Sequence, residues 1–280
     1  MTVTIVVGGF RGGEGKGKLV AYLALADQPV LAARLRGPEQ VLEWGGQQQT
    51  VACLPSALIH PDTRLLVGPG EGVDVGLLLS EIERLGVADR VGVDPRGRIE
   101  GHAVRAGDVP ELSRFLTDVP LELHTAARRG QTVLIEGAHG FGVSALYGQA
   151  EAGTEGDTTA QACCVRVGLG PTQVTDVVVV FPALSDAPTG PASETNGVRD
   201  EARIDNFDLD LARQAVIVNG ATAIALTGLD KRVTRAQGVQ RRPQLPTEAR
   251  QFIDQLETAL GLPVALVSTG PAIEHVIDLR

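Results

Sequence analysis

Runs of apolar, often β-branched residues alternate along this chain with segments whose apolar positions recur at helical spacing. Residues 2–7 read as a buried strand that stops at Gly8-Gly9. Residues 18–25 read as the helix that follows, with Leu19, Val20, Leu23 and Leu25 apolar. The same alternation predicts strands at 132–135, 177–181, 223–227 and 264–268, and helices over 77–85, 122–129, 209–219 and 247–260. Pro246 at the start of the last helix and Gly261 just past its end are the usual start and stop residues. Strands this uniformly apolar belong in a parallel sheet covered on both faces. The expected architecture is therefore α/β, a mostly parallel central sheet flanked by helices, with a P-loop-like phosphate loop after the first strand. Residues 91–108 and 182–206 break the pattern with Gly, Pro, Arg and Asp, and read as functional loops or disorder. Residues 231–246 read as a basic surface excursion. Neither a repeat nor a linker interrupts the pattern, so one domain over 1–280 is expected.

Composition narrows the function classes. A net charge of -9 argues against a general nucleic-acid surface, and 3% aromatic residues argue against a base-stacking platform or a carbohydrate cleft. An anionic ligand must then be held locally, by backbone amides and a few placed cations. Cys53, Cys163 and Cys164 are odd in number and two are adjacent, which predicts neither a disulfide framework nor a zinc site. No apolar run reaches membrane-spanning length and the N-terminus carries no leader, so a cytoplasmic protein is expected.

The chemistry concentrates where the first strand meets the first helix. Gly8-Gly9-Phe10-Arg11-Gly12-Gly13-Glu14-Gly15-Lys16-Gly17-Lys18 places glycines and two lysines at a helix N-terminus. Glycines let successive N–H groups turn toward an anion, and the helix dipole adds to their attraction. Gly12, Gly17 and Lys18 match G-x-x-x-x-G-K, yet Leu19 follows where an ordinary P-loop has the Ser or Thr that holds Mg²⁺. Simple P-loop ATPases are disfavoured accordingly.

The run GGEGKGK resembles GDEGKGK, the N-terminal signature of adenylosuccinate synthetases, and further segments follow in that family's order. Leu54-Pro55-Ser56 and Gly68-Pro69-Gly70 resemble its early turns, and Glu136-Gly137-Ala138-His139-Gly140 its EGAQG segment. Asp157-Thr158-Thr159-Ala160 with Gly168-Leu169-Gly170-Pro171 resembles NTTAGG and GLGP, Thr227-Gly228-Leu229-Asp230 resembles TKLD, and Ser268-Thr269-Gly270-Pro271 matches STGP. The resemblance implies a Mg²⁺-dependent ligase, acting as a homodimer, that phosphorylates the six-oxygen of a purine monophosphate and lets L-aspartate displace the phosphate. It implies a catalytic set of Gly13, Glu14, Lys16 and Lys18. Nucleotide contacts would come from Gly12, Gly13, Gly15, Lys16, Gly17, Lys18, His139, Thr158, Thr159, Asp230, Ser268, Gly270 and Pro271. Aspartate contacts would come from Thr195, Asn196, Gly197, Val198 and Arg203, and the backbone of Gly13 would face the metal.

Departures from the family pattern carry the finer reading. Gly13 stands where the family has the Asp that acts as base on the purine ring. Its loss makes room beside carbon two of the purine, where guanine carries an amino group, and resembles the bacteriophage branch that takes dGMP to make 2-aminoadenine precursors. Residues 36–44 read RGPEQVLEW without the family's histidine, leaving Glu39, Gln40 or Glu43 as substitutes. The loop that grips the monophosphate has no counterpart in 91–108, leaving Arg96, Arg98 and Arg105 as candidates. Gly228 replaces the family Lys over the triphosphate's base, which favours ATP or dATP over GTP. His139, in place of Gln, is either a contact to the purine monophosphate or a structural residue, and Cys163 and Cys164 read as core packing. The expected activity is ligation of aspartate to dGMP at the expense of ATP or dATP. The alternatives are an ordinary IMP-dependent adenylosuccinate synthetase and a nucleotide-binding protein that has lost catalysis.

Overall fold

The computed structural model describes residues 3–148, 156–184, 204 and 206–280. The first strand, β1 (Val3–Gly8), lies near the middle of the molecule and leads through the glycine loop into α1 (Lys16–Asp27). Strand β2 (Leu31–Arg34) follows, then the hairpin β3 (Gln40–Trp44) and β4 (Gln47–Val51), β5 (Arg64–Val67), the two-residue β6 (Gly72–Val73) and helix α2 (Val75–Leu85). Next come β7 (Val91–Val93), β8 (Arg98–Ile99), α3 (Val119–Arg128), β9 (Val133–Glu136) and α4 (Ala160–Val167). The chain closes with β10 (Asp176–Pro182), α5 (Leu209–Asn219), β11 (Ala223–Thr227), α6 (Leu229–Arg232), α7 (Thr247–Leu260), β12 (Val264–Ser268) and β13 (Val276–Asp278).

Nine of these strands form one sheet in the order β13-β12-β11-β10-β1-β9-β2-β5-β7, parallel throughout except at β13. The period of two along β1 divides the core. Ile5 and Val7 pack with Leu123, Cys163, Leu211 and Phe252 of α3, α4, α5 and α7, while Val6 packs on the other face with Leu19, Val20 and Leu23 of α1. A third cluster joins Leu78 and Ile82 of α2 to Leu65, Val67 and Val91 at the β5–β7 side of the sheet. Cys163 and Cys164 are buried, as their place in an apolar helix suggests.

The α/β expectation holds, and residues 209–219, 223–227, 247–260 and 264–268 fold over those limits. Residues 91–108 differ from the expected irregular loop. They supply β7 at the sheet edge and β8 paired with β6, elements of three and two residues that are too short to show a period. Residues 231–246 are only partly a surface excursion, because Val233, Ala236 and Leu245 sink into the core. Strands β2 and β5, four residues each, were not foreseen.

The first half of the chain builds the sheet outward on one side of β1 and the second half on the other. The crevice at this switch of direction lies outside the carboxyl ends of the strands, where α/β sheets bind ligands. One buried side chain steadies the turn between β4 and the next helical segment. Glu81 of α2 accepts the backbone amides of Ala52 (2.7 Å), Cys53 (3.1 Å) and Leu54 (2.7 Å). Glu81→Ala strands these amides and should lower the unfolding free energy by about 3 kcal/mol in a urea titration, against little change for the exposed Glu83→Ala.

Candidate active site

The loop after β1 is shaped by backbone that only glycine adopts readily. Gly12, Gly13 and Gly15 have φ of 103°, 72° and 79°. The side chain of Glu14 turns inward. Its Oε1 accepts the amides of Phe10 (3.2 Å) and Gly12 (2.7 Å), and its Oε2 pairs with Lys16 Nζ at 2.8 Å, both side chains being buried. Lys16 also donates to the carbonyl of His139. The turn after β9 presses against this loop, and a Cβ on Gly140 would come within 2.5 Å of the Phe10 carbonyl and 2.7 Å of the Gly12 amide. Thr227 at the end of β11 donates to the Glu14 carbonyl at 2.6 Å.

Lys18 points the other way. Its Nζ donates to Ser268 Oγ and to the Gly270 carbonyl (2.6 Å), tying α1 to the turn after β12. Burial pulls its pKa down to about 8, with Lys231 adding to the fall and Asp230 and Glu43 opposing it. Asp230, Ser268, Gly270 and Lys18 thus gather at one end of the loop, and Pro271 borders the cavity beside them. The stem of Lys231 lies 3.6 Å from where a Cβ on Gly228 would be, so a lysine one turn later covers the position left by that glycine. Nothing in the sequence pattern had marked Lys231.

Two cavities meet at His139. The smaller, about 280 Å³, is bordered by Gly13, Lys16, Lys18, Glu39, Gln40 and Pro271. The larger, about 950 Å³, is bordered by Arg36, Arg98, His139, Asp157, Thr158 and Arg166. Gly37, Ala138 and His139 belong to both. His139 has φ of 54°, and burial, then Lys16 and Arg166, push its imidazole pKa down, so the ring is neutral near pH 7.

Gln40 stands at the mouth of the smaller cavity because the interior holds it there. Its Nε2 donates to Glu136 Oε1 at 2.6 Å, and Glu136 in turn accepts the Ser56 amide and hydroxyl and lies 3.6 Å from the buried Arg34 Nε. The proposed set divides further. Thr158 borders the larger cavity, whereas Thr159 caps α4 and bonds to Asp157. Arg96 is taken up by Asp94 and Asp118, and Arg105 by the Arg96 carbonyl, so of the three loop arginines only Arg98 reaches the cavity. Arg36 and Arg166 join it there unforeseen. Thr195, Asn196, Gly197, Val198 and Arg203 lie outside the described residues.

For Mg²⁺ the loop offers little. Both Glu14 oxygens are occupied, Gly13 and Leu19 carry no ligating side chain, and the described residues hold no group of three or more His, Cys, Asp or Glu suited to a metal. The charge on Lys18 has a direct readout. Below pH 8 the amine is protonated and above it neutral. Nucleoside triphosphate binding followed by calorimetry should therefore weaken about tenfold as pH rises through 8. Lys18→Ala should bind weakly throughout and lack that step.

The chain compares closely with known proteins. A family model for adenylosuccinate synthetase matches residues 5–104 and 103–195. The adenylosuccinate synthetase of Archaeoglobus fulgidus is 38% identical over 333 aligned positions, spanning 100% of this chain and 99% of that one. That of Thermococcus onnurineus is 37% identical over 99% of this chain and 98% of its own. The first alignment is longer than the 280-residue chain, so the relative carries internal segments with no counterpart here. Among solved structures, the fully ligated adenylosuccinate synthetase from Plasmodium falciparum superposes with a TM-score of 0.83 at 16% identity, covering 100% of both chains. The succinoaminodeoxyadenylate synthetase of cyanophage S-2L superposes at 0.75 with 18% identity, covering 99% of this chain and 95% of that one. At such identities both structures speak to the fold alone. The relatives' sequences carry the assignment further: this chain belongs to the adenylosuccinate synthetase family and is a C–N ligase of that type.

Proposed function

We propose that the chain joins L-aspartate to carbon six of a purine nucleoside monophosphate, and that the purine is guanine, presented as dGMP. The six-oxygen attacks the γ-phosphorus of a triphosphate and the nucleoside diphosphate leaves. The aspartate amine then displaces the new phosphate, giving the N6-succino product and inorganic phosphate. Two cavities meeting at His139 suit this sequence, one beside the phosphate loop for the triphosphate and one for the monophosphate. Amides and lysine cations placed in advance around the transferring group do the greater part of such catalysis. Lys16 and Lys18 supply the cations, with the amides of Gly13, Gly15 and Gly17 beside them. Mg²⁺ would arrive with the triphosphate, held by phosphate oxygens and the Gly13 carbonyl. The aspartate carboxylates fall to Thr195, Asn196, Gly197, Val198 and Arg203, where a guanidinium can grip a carboxylate by both oxygens.

The observation that carries the guanine reading is Gly13. It is exposed at the smaller cavity, and a Cβ there would meet no protein atom within 4 Å. On this reading the six-position edge of the purine reaches from the larger cavity past His139 to the junction with the smaller one, and the missing side chain at Gly13 leaves room there for the 2-amino group. The second reading, with IMP as substrate, is favoured by the relatives, which are named adenylosuccinate synthetase. Gly228 supports ATP or dATP as the phosphoryl donor, while Lys231 beside it restores part of the cover that a guanine base would use.

Phosphate release with L-aspartate and Mg²⁺, measured across dGMP, GMP, IMP and AMP, each with ATP, dATP and GTP, separates these readings. dGMP with an adenine triphosphate should give the highest kcat/KM. A clear preference for IMP would establish the second reading, and nucleotide binding without phosphate release would mark a lapsed enzyme. Gly13→Asp should cut dGMP turnover about a hundredfold, since small displacements of reacting groups are that costly, and leave IMP turnover flat or raised. Full dGMP activity in that variant would show that Gly13 does not select the purine.

A further inference from the structure

Three arginines from separate parts of the chain converge on Glu71. The backbone amide of Arg36 donates to its Oε2 at 2.6 Å, Arg166 Nη2 donates to the same oxygen at 2.9 Å, and the amide of Arg98 donates to its carbonyl at 3.1 Å. Glu71 is 2% exposed, and its other oxygen, Oε1, is buried without a hydrogen bond. The backbone is drawn just as close, because the Gly70 amide donates to the Arg166 carbonyl at 2.8 Å and a Cβ on Gly70 would stand 2.7 Å from Arg166 Cα. All three guanidinium-bearing residues border the 950 Å³ cavity.

The cavity meets the glycine loop at Gly37, Ala138 and His139, and the three arginines gather around residues 70–72. In the ligation proposed above, the six-oxygen of the purine must face the γ-phosphate and so the glycine loop. The 5′-phosphate of the same nucleotide then points away from that loop, into the cavity that the arginines border. Counter-charges are present but committed. Glu100 meets Arg36, Glu71 is shared between Arg36 and Arg166, and Asp157 accepts from Ser144 (2.8 Å) and Thr159. Burial pushes the Glu71 carboxyl pKa up, against the pull of Arg166 and Arg36.

We propose that Arg36, Arg98 and Arg166 form the subsite for the 5′-phosphate of the purine monophosphate, with Glu71 anchoring the backbone of Arg36 and the guanidinium of Arg166 before the ligand arrives. This set stands in for the monophosphate-gripping loop that the sequence lacks, and it rests on the ligase reading given above. Guanidiniums suit the task because they offer paired donors to phosphate oxygens.

Calorimetric titration with dGMP and IMP, and with deoxyguanosine and inosine as phosphate-free controls, tests the subsite without requiring turnover. The unaltered protein should bind a monophosphate more tightly than its nucleoside. Arg98→Ala and Arg166→Ala should each weaken monophosphate binding about tenfold or more and leave nucleoside binding unchanged. Arg98 is exposed at the cavity wall, so its variant gives a reading even if Arg166→Ala, which strands the Glu71 charge, proves too unstable to titrate. Monophosphate binding by the unaltered protein together with an undiminished phosphate preference in the folded variants would overturn the subsite alone. Failure of the unaltered protein to bind any purine monophosphate would overturn both the ligase reading and the subsite.

Discussion

The buried carboxylate of Glu14 is the interaction on which the site depends. It sits inside a glycine-rich loop in which few side chains besides the buried Phe10 hold a shape, and it accepts hydrogen bonds from the amides of Phe10 and Gly12 and forms an ion pair with Lys16. Lys16 carries the connection to the His139 carbonyl, and the Glu14 carbonyl carries it to Thr227. One residue therefore binds the ends of β1, β9 and β11 together. A buried ion pair of this kind adds little to stability compared with apolar packing, but losing one partner leaves a charge without water or counter-ion. Its value lies in fixing one loop conformation before any ligand is present.

The same logic recurs one layer out. Glu136 holds Gln40 and the Ser56 turn, Glu71 holds two arginines, and Glu81 holds three amides of the β4 exit. Each is a buried acid, and Glu136 and Glu71 stand at or just past the carboxyl ends of β9 and β5, with donors from segments far apart in sequence. The crevice is thereby lined by cations and amides that acidic residues aim from behind. A chain with net charge of -9 can in this way present a locally cationic pocket to nucleotides.

Much of this was legible in the residues. The sheet followed from strands that are apolar on both faces, and the tight turn between β1 and α1 from the glycines placed there. The turns at Gly137-Ala138-His139-Gly140, Thr227 to Asp230 and Ser268 to Pro271 do come to the loop, each at the end of its strand. Roles within the loop were less legible, because spacing cannot say which way a side chain turns. Glu14, expected among the catalytic groups, faces inward with both oxygens engaged. Lys16 and Lys18, two residues apart, point to opposite sides. Thr159 is spent on a helix cap while its neighbour Thr158 borders the cavity. Arg36 and Arg166 were invisible as a pair because only the packing of the β5–β6 turn against the end of α4 brings them together.

The outermost strands of the sheet, β7 and β13, are three residues long each. Beyond β7 the chain folds back, with Val93 bridged to Leu116 and the Thr117 amide bonded to the Val93 carbonyl, while β13 reverses direction against β12. A broad parallel sheet would otherwise end in rows of open amides and carbonyls, a template on which another chain could add a strand. Margins this brief offer few consecutive bonding positions to an intruding strand. The apolar interior strands are thereby shielded from fibre-like self-association, a hazard that grows with the hydrophobicity the fold requires.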